Sequence, residues 1–388
     1  MENNKKDLDA LRLEIDAADR ELIKNFEKRM GCAARIAEYK RCCGKAVFDP
    51  VREREKLKAV ANEADDGMKS YVKSMYSLLF ELSRDYQNKL IGHSSELYEK
   101  ISHAIEETPR LFPTEARVAC QGTEGAYSMA AAKKLFRDPD IVYVKTFADV
   151  VRAVRSGYVK YGMLPIENST AGAVNGVYEL LAESGVYAVR GVKYKVEHSL
   201  LANRGAALSD IKEVISHEQA INQSRDFLDN LSRENGGIKI TYAENTALAA
   251  RAVAESGRLD LASISSYGCA EINSLSVLKR DIQTTDNNYT RFLCVSRDIE
   301  IYPGADKTSV MLVTGNKPGA LYKVLSRFNA LGINMTNLVS RPITGRDFEF
   351  RFFIDFETSV YSEDFASLIN TVEDVCEEFC YLGSYVEK

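Results

Sequence analysis

The apolar positions of the chain fall into three regimes of different period, and each regime marks a region. In the first, positions 12, 15, 19, 22, 26, 29, 33, 36 and 40 alternate in steps of three and four, which places them on one face of a helix. They hold Arg12, Ile15, Asp19, Leu22, Phe26, Arg29, Ala33, Ile36 and Lys40. Leu8 to Arg41 contains no proline and one glycine, Gly31, so a single long helix is predicted. Asp49-Pro50 reads as a helix start, with an N-cap carboxylate and proline at the first helical position. A second helix to about Ala64 and a third over about 68–91 follow. Gly92, Pro109 and Pro113 then interrupt the pattern, and 96–115 reads as a linker.

From Arg117 the pattern becomes short apolar runs separated by helical stretches. Candidate strands are Arg117–Cys120, Ile141–Val144, Tyr161–Ile166, Val186–Val189, Glu213–Ser216, Lys239–Tyr242, Asp260–Ile264 and Phe292–Val295. This alternation predicts an α/β region over 116–297, in two lobes. The third regime, 305–388, reads strand (Ser309–Val313), helix (Gly319–Leu331), strand (Ile333–Arg341), strand (Phe348–Phe356), helix (Ser362–Phe379), strand (Tyr381–Val386). That order, βαββαβ, predicts an α+β ferredoxin-like unit. The fold class expected is therefore multidomain: all-α over 1–95, two-lobed α/β, then α+β.

The segment Tyr161–Leu181 concentrates the chemistry. An apolar run ends abruptly in Glu167-Asn168-Ser169-Thr170, and after a glycine-broken turn Val174, Val177, Leu180 and Leu181 return at helical spacing. Polar side chains at the carboxyl end of a buried strand are where open α/β sheets bind small ligands.

Composition narrows the class. With 388 residues, 45% hydrophobic and 28% charged, the chain can bury several cores, and a net charge of −5 gives no reason to expect nucleic acid. The start, MENNKKDLDALR, has no apolar signal segment, and no run is long enough to span a membrane. A cytoplasmic location is expected. The eight cysteines form no CxxC pair, and Cys376 and Cys380 fall in a predicted helix, so reduced thiols are expected. The four histidines, His93, His103, His198 and His217, have no metal-ligand spacing. Alone, His217 reads as a satisfied core histidine and His198 as structural. No metal and no cofactor are expected.

The first helix carries three cations, Arg12, Arg29 and Lys40, on an otherwise apolar seam. Burying a cation unpaired is costly, so these call for anions. At 1.5 Å per residue, Arg12 and Lys40 lie roughly 42 Å apart, and Arg12 and Arg29 roughly 25 Å. No small anion spans that distance. One site for all three requires Arg12 from a second chain's antiparallel helix, so a homodimer or higher homo-oligomer with intertwined helices is predicted.

Together with Asp49-x-x-Arg52-Glu53 and Ser83-x-x-x-Gln87, the seam resembles the all-helical chorismate mutases. The resemblance implies that Arg12 of a second chain, Arg29 and Arg52 clamp the two substrate carboxylates, with Ser83 close to one of them. It also implies that Lys40 and Gln87 face the breaking ether oxygen, and that Asp49 and Glu53 address the ring hydroxyl.

In the α/β region, Gly122–Ser128 (GTEGAYS), the block LPIENSTAG, Ser216-His217-x-Gln219, Asn245-Thr246-Ala247 and Thr290-Arg291-Phe292 resemble prephenate dehydratase. Thr123 stands where that family usually has proline. The resemblance implies that Thr290 donates to the departing hydroxyl and that Asn168, Ser169, Ser216 and Gln223 line the pocket. Gly319-Ala320-Leu321 and Ser340-Arg341-Pro342 resemble the family's amino-acid-binding regulatory (ACT) domain, which implies phenylalanine as effector; Val339 replaces the family's glutamate. A catalytically silent amino-acid or dicarboxylate sensor on the same scaffold, or a mutase fused to an inactive dehydratase, are the alternative readings.

Overall fold

The computed structural model describes residues 2–91, 95–346 and 348–388. Gly92 and His93 lie outside them. The first region contains α1 (Glu2–Cys43), α2 (Pro50–Glu63) and α3 (Lys69–Ile91). Asp49 caps α2 as expected, its Oδ1 accepting from Arg52 N at 3.0 Å. With 42 residues α1 is about 63 Å long. Its covered stripe holds Ala33 and Ala37, at 4% and 1% exposure, whereas Ile36 is 48% exposed. The expected seam slips by one residue here because a 3.6-residue turn drifts against a strict alternation of three and four. Toward the amino end none of the described residues covers α1: Leu11, Leu13, Ile15, Leu22 and Ile23 are all more than half exposed.

The stretch read as a linker contains a helix, α4 (Glu96–Glu107). Its signal was present: Ile101 and Ala104, three apart, are its buried positions. Only the part after it, with Pro109 and Pro113, is irregular.

The α/β region holds two sheets. Its elements are β1 (Glu115–Gln121), α5 (Tyr127–Leu135), β2 (Asp138–Val144), α6 (Phe147–Arg155), β3 (Tyr161–Asn168), β4 (Gly172–Ala173), α7 (Val177–Ser184), β5 (Tyr187–Lys195), β6 (Ser199–Ala202), β7 (Glu213–Ser216), α8 (Glu218–Gln223), α9 (Arg225–Glu234), β8 (Lys239–Tyr242), α10 (Thr246–Ser256), β9 (Leu261–Ser265), α11 (Tyr267–Ile272), β10 (Ser276–Lys279) and β11 (Tyr289–Ser296). The first sheet runs β2-β1-β3-β11-β5, with β4 on β3; the second runs β10-β6-β9-β7-β8. β1, β2 and β3 are parallel, and β11 inserts antiparallel between β3 and β5. The chain thus leaves the first lobe after β5 and returns through β11. The strands β4, β6 and β10 were not anticipated; β4 has only two residues, and β6 is buried at all four positions, so neither alternates.

The last region is β12 (Lys307–Val313), α12 (Ala320–Ala330), β13 (Asn334–Pro342), β14 (Phe350–Glu357), α13 (Glu363–Val372) and β15 (Glu378–Tyr385), the βαββαβ order expected. Its sheet is antiparallel in the order β13-β14-β12-β15. The second helix is shorter than the sequence suggested, and Cys380 lies on β15 rather than on a helix. Met311, Val313, Phe353, Leu382 and Tyr385 join one apolar core with Leu164, Ile166, Tyr178 and Leu293 of the first lobe. Beyond β15, Gly191 N donates to Val386 O and Lys193 N to Lys388 O, so residues 386–388 pair with the free edge of β5.

Two candidate active sites

In the helical region the predicted residues fall into two groups. Arg29, Lys40, Ser83 and Gln87 are buried or half-buried. Arg29 donates to Leu79 O at 3.0 Å, with its guanidinium 5.7 Å from the Phe80 ring centre. Lys40 donates to Val47 O at 2.5 Å. These cations rest on carbonyls, which solvate a charge without neutralising it. Burial lowers the Arg29 pKa, and Tyr76 and Glu53 oppose this. Gln87 donates to Ser83 O at 3.1 Å, while its Oε1 is buried with no protein partner. Glu53 pairs with Arg84, a residue the sequence reading did not single out, and Arg84 lies 5.1 Å over the Phe48 ring. Asp49 and Arg52 are exposed at the start of α2. Arg12 is apart from all of these: exposed, on the amino half of α1, bonded to Asp9 at 3.1 Å.

The second site is a cleft of about 590 Å³ lined by both lobes of the α/β region. The amino ends of α5 and α10 open onto it through Tyr127, Ser128 and Thr246, as does the start of the short α8. Among the described residues lining it there is no lysine or arginine. Negative charge entering this cleft therefore meets helix N–H groups rather than ammonium or guanidinium groups.

One continuous hydrogen-bond chain crosses the cleft wall. Tyr127 Oη lies 3.2 Å from His198 Nδ1, and His198 Nε2 lies 2.9 Å from Gln223 Oε1. A carbonyl oxygen only accepts, so Nε2 carries the imidazole proton, while the Tyr127 phenol donates to Glu197 O at 3.0 Å and lies beside Nδ1. Gln223 donates to Thr170 Oγ1 at 3.0 Å, Thr170 donates to Asn168 Oδ1 at 2.6 Å, and Asn168 Nδ2 donates to Thr290 Oγ1 at 3.0 Å. From His198 to Thr290 every link points the same way, so those dipoles reinforce one another. At the end of the chain Thr290 Oγ1 accepts a hydrogen bond, and among the described residues no bond donated by its hydroxyl is present. Burial pushes the His198 pKa down, against an opposing hydrogen bond from Gln223. Burial also raises the Tyr127 phenol well above its usual value, helped by Cys269, Tyr194 and Glu197.

The expectations meet this geometry unevenly. Thr290, Asn168 and Gln223 line the cleft. Ser169 does not; its hydroxyl holds the backbone of the 287–289 loop, donating to Asn287 O and accepting from Tyr289 N. Ser216 is fully buried and donates to Ile264 O at 2.6 Å, so strand alternation turns it inward, away from the cleft. His217 caps α8 through Gln219 N at the cleft wall and is no core histidine. His198 belongs to the polar chain, a role the local sequence did not reveal because its partners come from residues 25 and 71 positions away.

In the last region Gly319 is the left-handed N-cap of α12, directly before Ala320 and Leu321. On β13 the alternation separates the Ser-Arg-Pro residues. Ser340 and Pro342 are exposed, while Arg341 faces inward, 3.7 Å from Glu179 of α7. Val339 packs on the apolar core shared with the first lobe. Among the described residues no cluster of metal-ligating side chains is present, and no helix is long and apolar enough to cross a membrane.

The comparisons agree with the division of the chain. Residues 11–88 match the family described as chorismate mutase type II, and residues 118–300 match prephenate dehydratase. An Arabidopsis thaliana arogenate dehydratase/prephenate dehydratase is 33% identical over 304 residues, covering 75% of this chain and 76% of that protein. A bifunctional chorismate mutase/prephenate dehydratase of Enterobacter agglomerans is 29% identical over 384 residues, covering 97% and 95%. Among solved structures, prephenate dehydratase from Arthrobacter aurescens in complex with L-Phe is 27% identical, with TM-score 0.63 and coverage of 70% and 89%. A quorum quenching acylase is 31% identical, with TM-score 0.64 and coverage of 70% and 98%. With both regions matched and the relatives aligned end to end, the chain belongs to the family of bifunctional chorismate mutase/prephenate dehydratases.

Proposed function

We infer that the helical region rearranges chorismate to prephenate and that the α/β cleft converts prephenate to phenylpyruvate, two successive steps of phenylalanine biosynthesis. The observation that carries this reading is the polar chain ending on Thr290, whose hydroxyl donates no bond among the described residues. Loss of water and carbon dioxide from prephenate is driven by aromatisation. The enzyme must stabilise charge on the departing oxygen and hold two carboxylates. Thr290 donates to that oxygen. A threonine hydroxyl is a weak acid, so its part is to polarise rather than to protonate fully, and the aligned dipoles behind it strengthen the donation. The helix amino ends receive the carboxylates, in keeping with a cleft lined without cations.

The rearrangement of chorismate is pericyclic and needs neither nucleophile nor proton transfer. Lys40 and Gln87 meet the ether oxygen as it gains charge, Arg29 and Arg52 hold carboxylates, Ser83 supports one of them, and Asp49 and Glu53 address the ring hydroxyl. Arg12 enters from a second copy. The uncovered apolar amino half of α1 supports that arrangement, because such a face needs a partner helix. Phenylalanine acts as the effector of the last region, at Gly319–Leu321 and Ser340–Pro342. The test is direct: purified protein is given chorismate, and prephenate and phenylpyruvate are followed with and without phenylalanine. Both products appear, and phenylalanine slows the second. Absence of phenylpyruvate refutes the dehydratase assignment.

A further inference from the structure

Thr290 and Arg291 are adjacent on β11 and therefore face opposite ways. Thr290 looks into the cleft, while Arg291 is 7% exposed and turned to the βαββαβ region. Its Nη1 lies 2.5 Å from Asp355 Oδ2 on β14, its Nε 2.5 Å from Glu387 Oε1, and its Nη2 2.6 Å from Tyr385 Oη. Asp355 accepts a second bond from Ser309 at 2.5 Å, and Lys307 and Lys193 reach Glu387 at 2.9 and 3.1 Å. Burial disfavours charge here, yet Arg291 keeps its proton firmly because Tyr385, Asp355 and Glu387 outweigh that penalty. The register between β11 and β3 shifts between Arg291 and Phe292, immediately after Thr290, and such a bulge re-aims the side chains around it. A second tie reaches the other side of the cleft wall: Asn337 on β13 donates to Tyr178 of α7 at 2.8 Å.

We propose that Arg291 and Asp355 are positioning residues for Thr290: the buried pair fixes β11 at its bulge, so the βαββαβ region sets the aim of the catalytic hydroxyl. The same pair is the route by which a ligand of that region changes the dehydratase rate. This rests on the cleft being the dehydratase site. A substitution on the far side of the sheet, with no access to prephenate, then lowers turnover rather than binding.

The test compares the full-length protein with D355N and with D355N/R291Q. The double variant leaves no unpaired buried charge, which separates loss of the tie from the cost of a charge left with one partner fewer. Prephenate binding is measured by calorimetry, and its stoichiometry counts intact clefts. Both variants are expected to bind prephenate at wild-type stoichiometry, with affinity within about threefold, to turn it over at least about tenfold more slowly, and to lose most of the phenylalanine response. The mutase rate of the same samples stays unchanged. Wild-type turnover in the double variant overturns the proposal, as does a loss of turnover matched by an equal loss of stoichiometry. A wild-type protein that binds and converts no prephenate instead removes the reading on which the proposal stands.

Discussion

At the scale of single residues, the two sites use opposite electrostatics for similar dicarboxylate substrates. The helical site gathers cations that rest on carbonyls, Lys40 on Val47 O and Arg29 on Leu79 O. Removing one such donor to a developing oxyanion costs about 3 kcal/mol of barrier. Lys40→Ala is therefore expected to slow the mutase at least about a hundredfold while leaving prephenate dehydration intact, as steady-state rates with each substrate will show. Among its described lining residues the cleft has Glu244 but no lysine or arginine, and His198 contributes a dipole there. Its folded pKa lies below the usual 6.5, mainly through burial. The unfolded chain then takes up a proton first, so stability is full above about 6.5 and falls as pH drops through that value toward the folded pKa. Denaturant midpoints measured between pH 8 and 5 should show this decline, and His198→Gln should reduce it. A parallel decline in both proteins contradicts the assignment. Asn168 and Thr290 could be named from sequence because they sit within recognisable blocks, and Gln223, outside every block, came with the resemblance alone. Tyr127 falls in a block too, but its meeting with His198 could not be read, since the two are 71 residues apart.

At the scale of elements, α1 holds the clearest prediction. Its apolar amino half has no covering surface among the described residues, and Arg12 stands there, far from Arg29. If each site takes Arg12 from one chain and Arg29 from the other, the variants R12A and R29A are each inactive as mutases. Mixed and refolded together, they form heterodimers with one complete site, and about a quarter of the wild-type rate returns, by random pairing in a twofold assembly. No recovery on mixing contradicts the shared site. Periodicity made the long helices, the main strands and the βαββαβ order legible. It misplaced the covered stripe by one residue at Ile36, because a strict three-four alternation drifts from a real helical turn. It missed β4, β6 and β10, of which β4 has two residues and β6 is buried throughout without alternation, and it hid α4 behind neighbouring prolines.

At the scale of the molecule, strand β11 serves two regions. Its one face ends the polar chain at Thr290; its other is fastened by Arg291 to Asp355, Tyr385 and Glu387. No sequence pattern announces that connection, since the partners lie 64 to 96 residues away. Glu387 is pushed up by burial but held down to about 2 by Arg291 and Lys307, so this anchor stays ionised at neutral pH. The central claim remains that one chain carries out two reactions in two separate places, the second through the Thr290 hydroxyl. The most direct measurement is a time course of Thr290→Val supplied with chorismate. Chorismate should vanish at the wild-type rate while prephenate accumulates and phenylpyruvate stays at background. Phenylpyruvate formed at the wild-type rate would contradict the account.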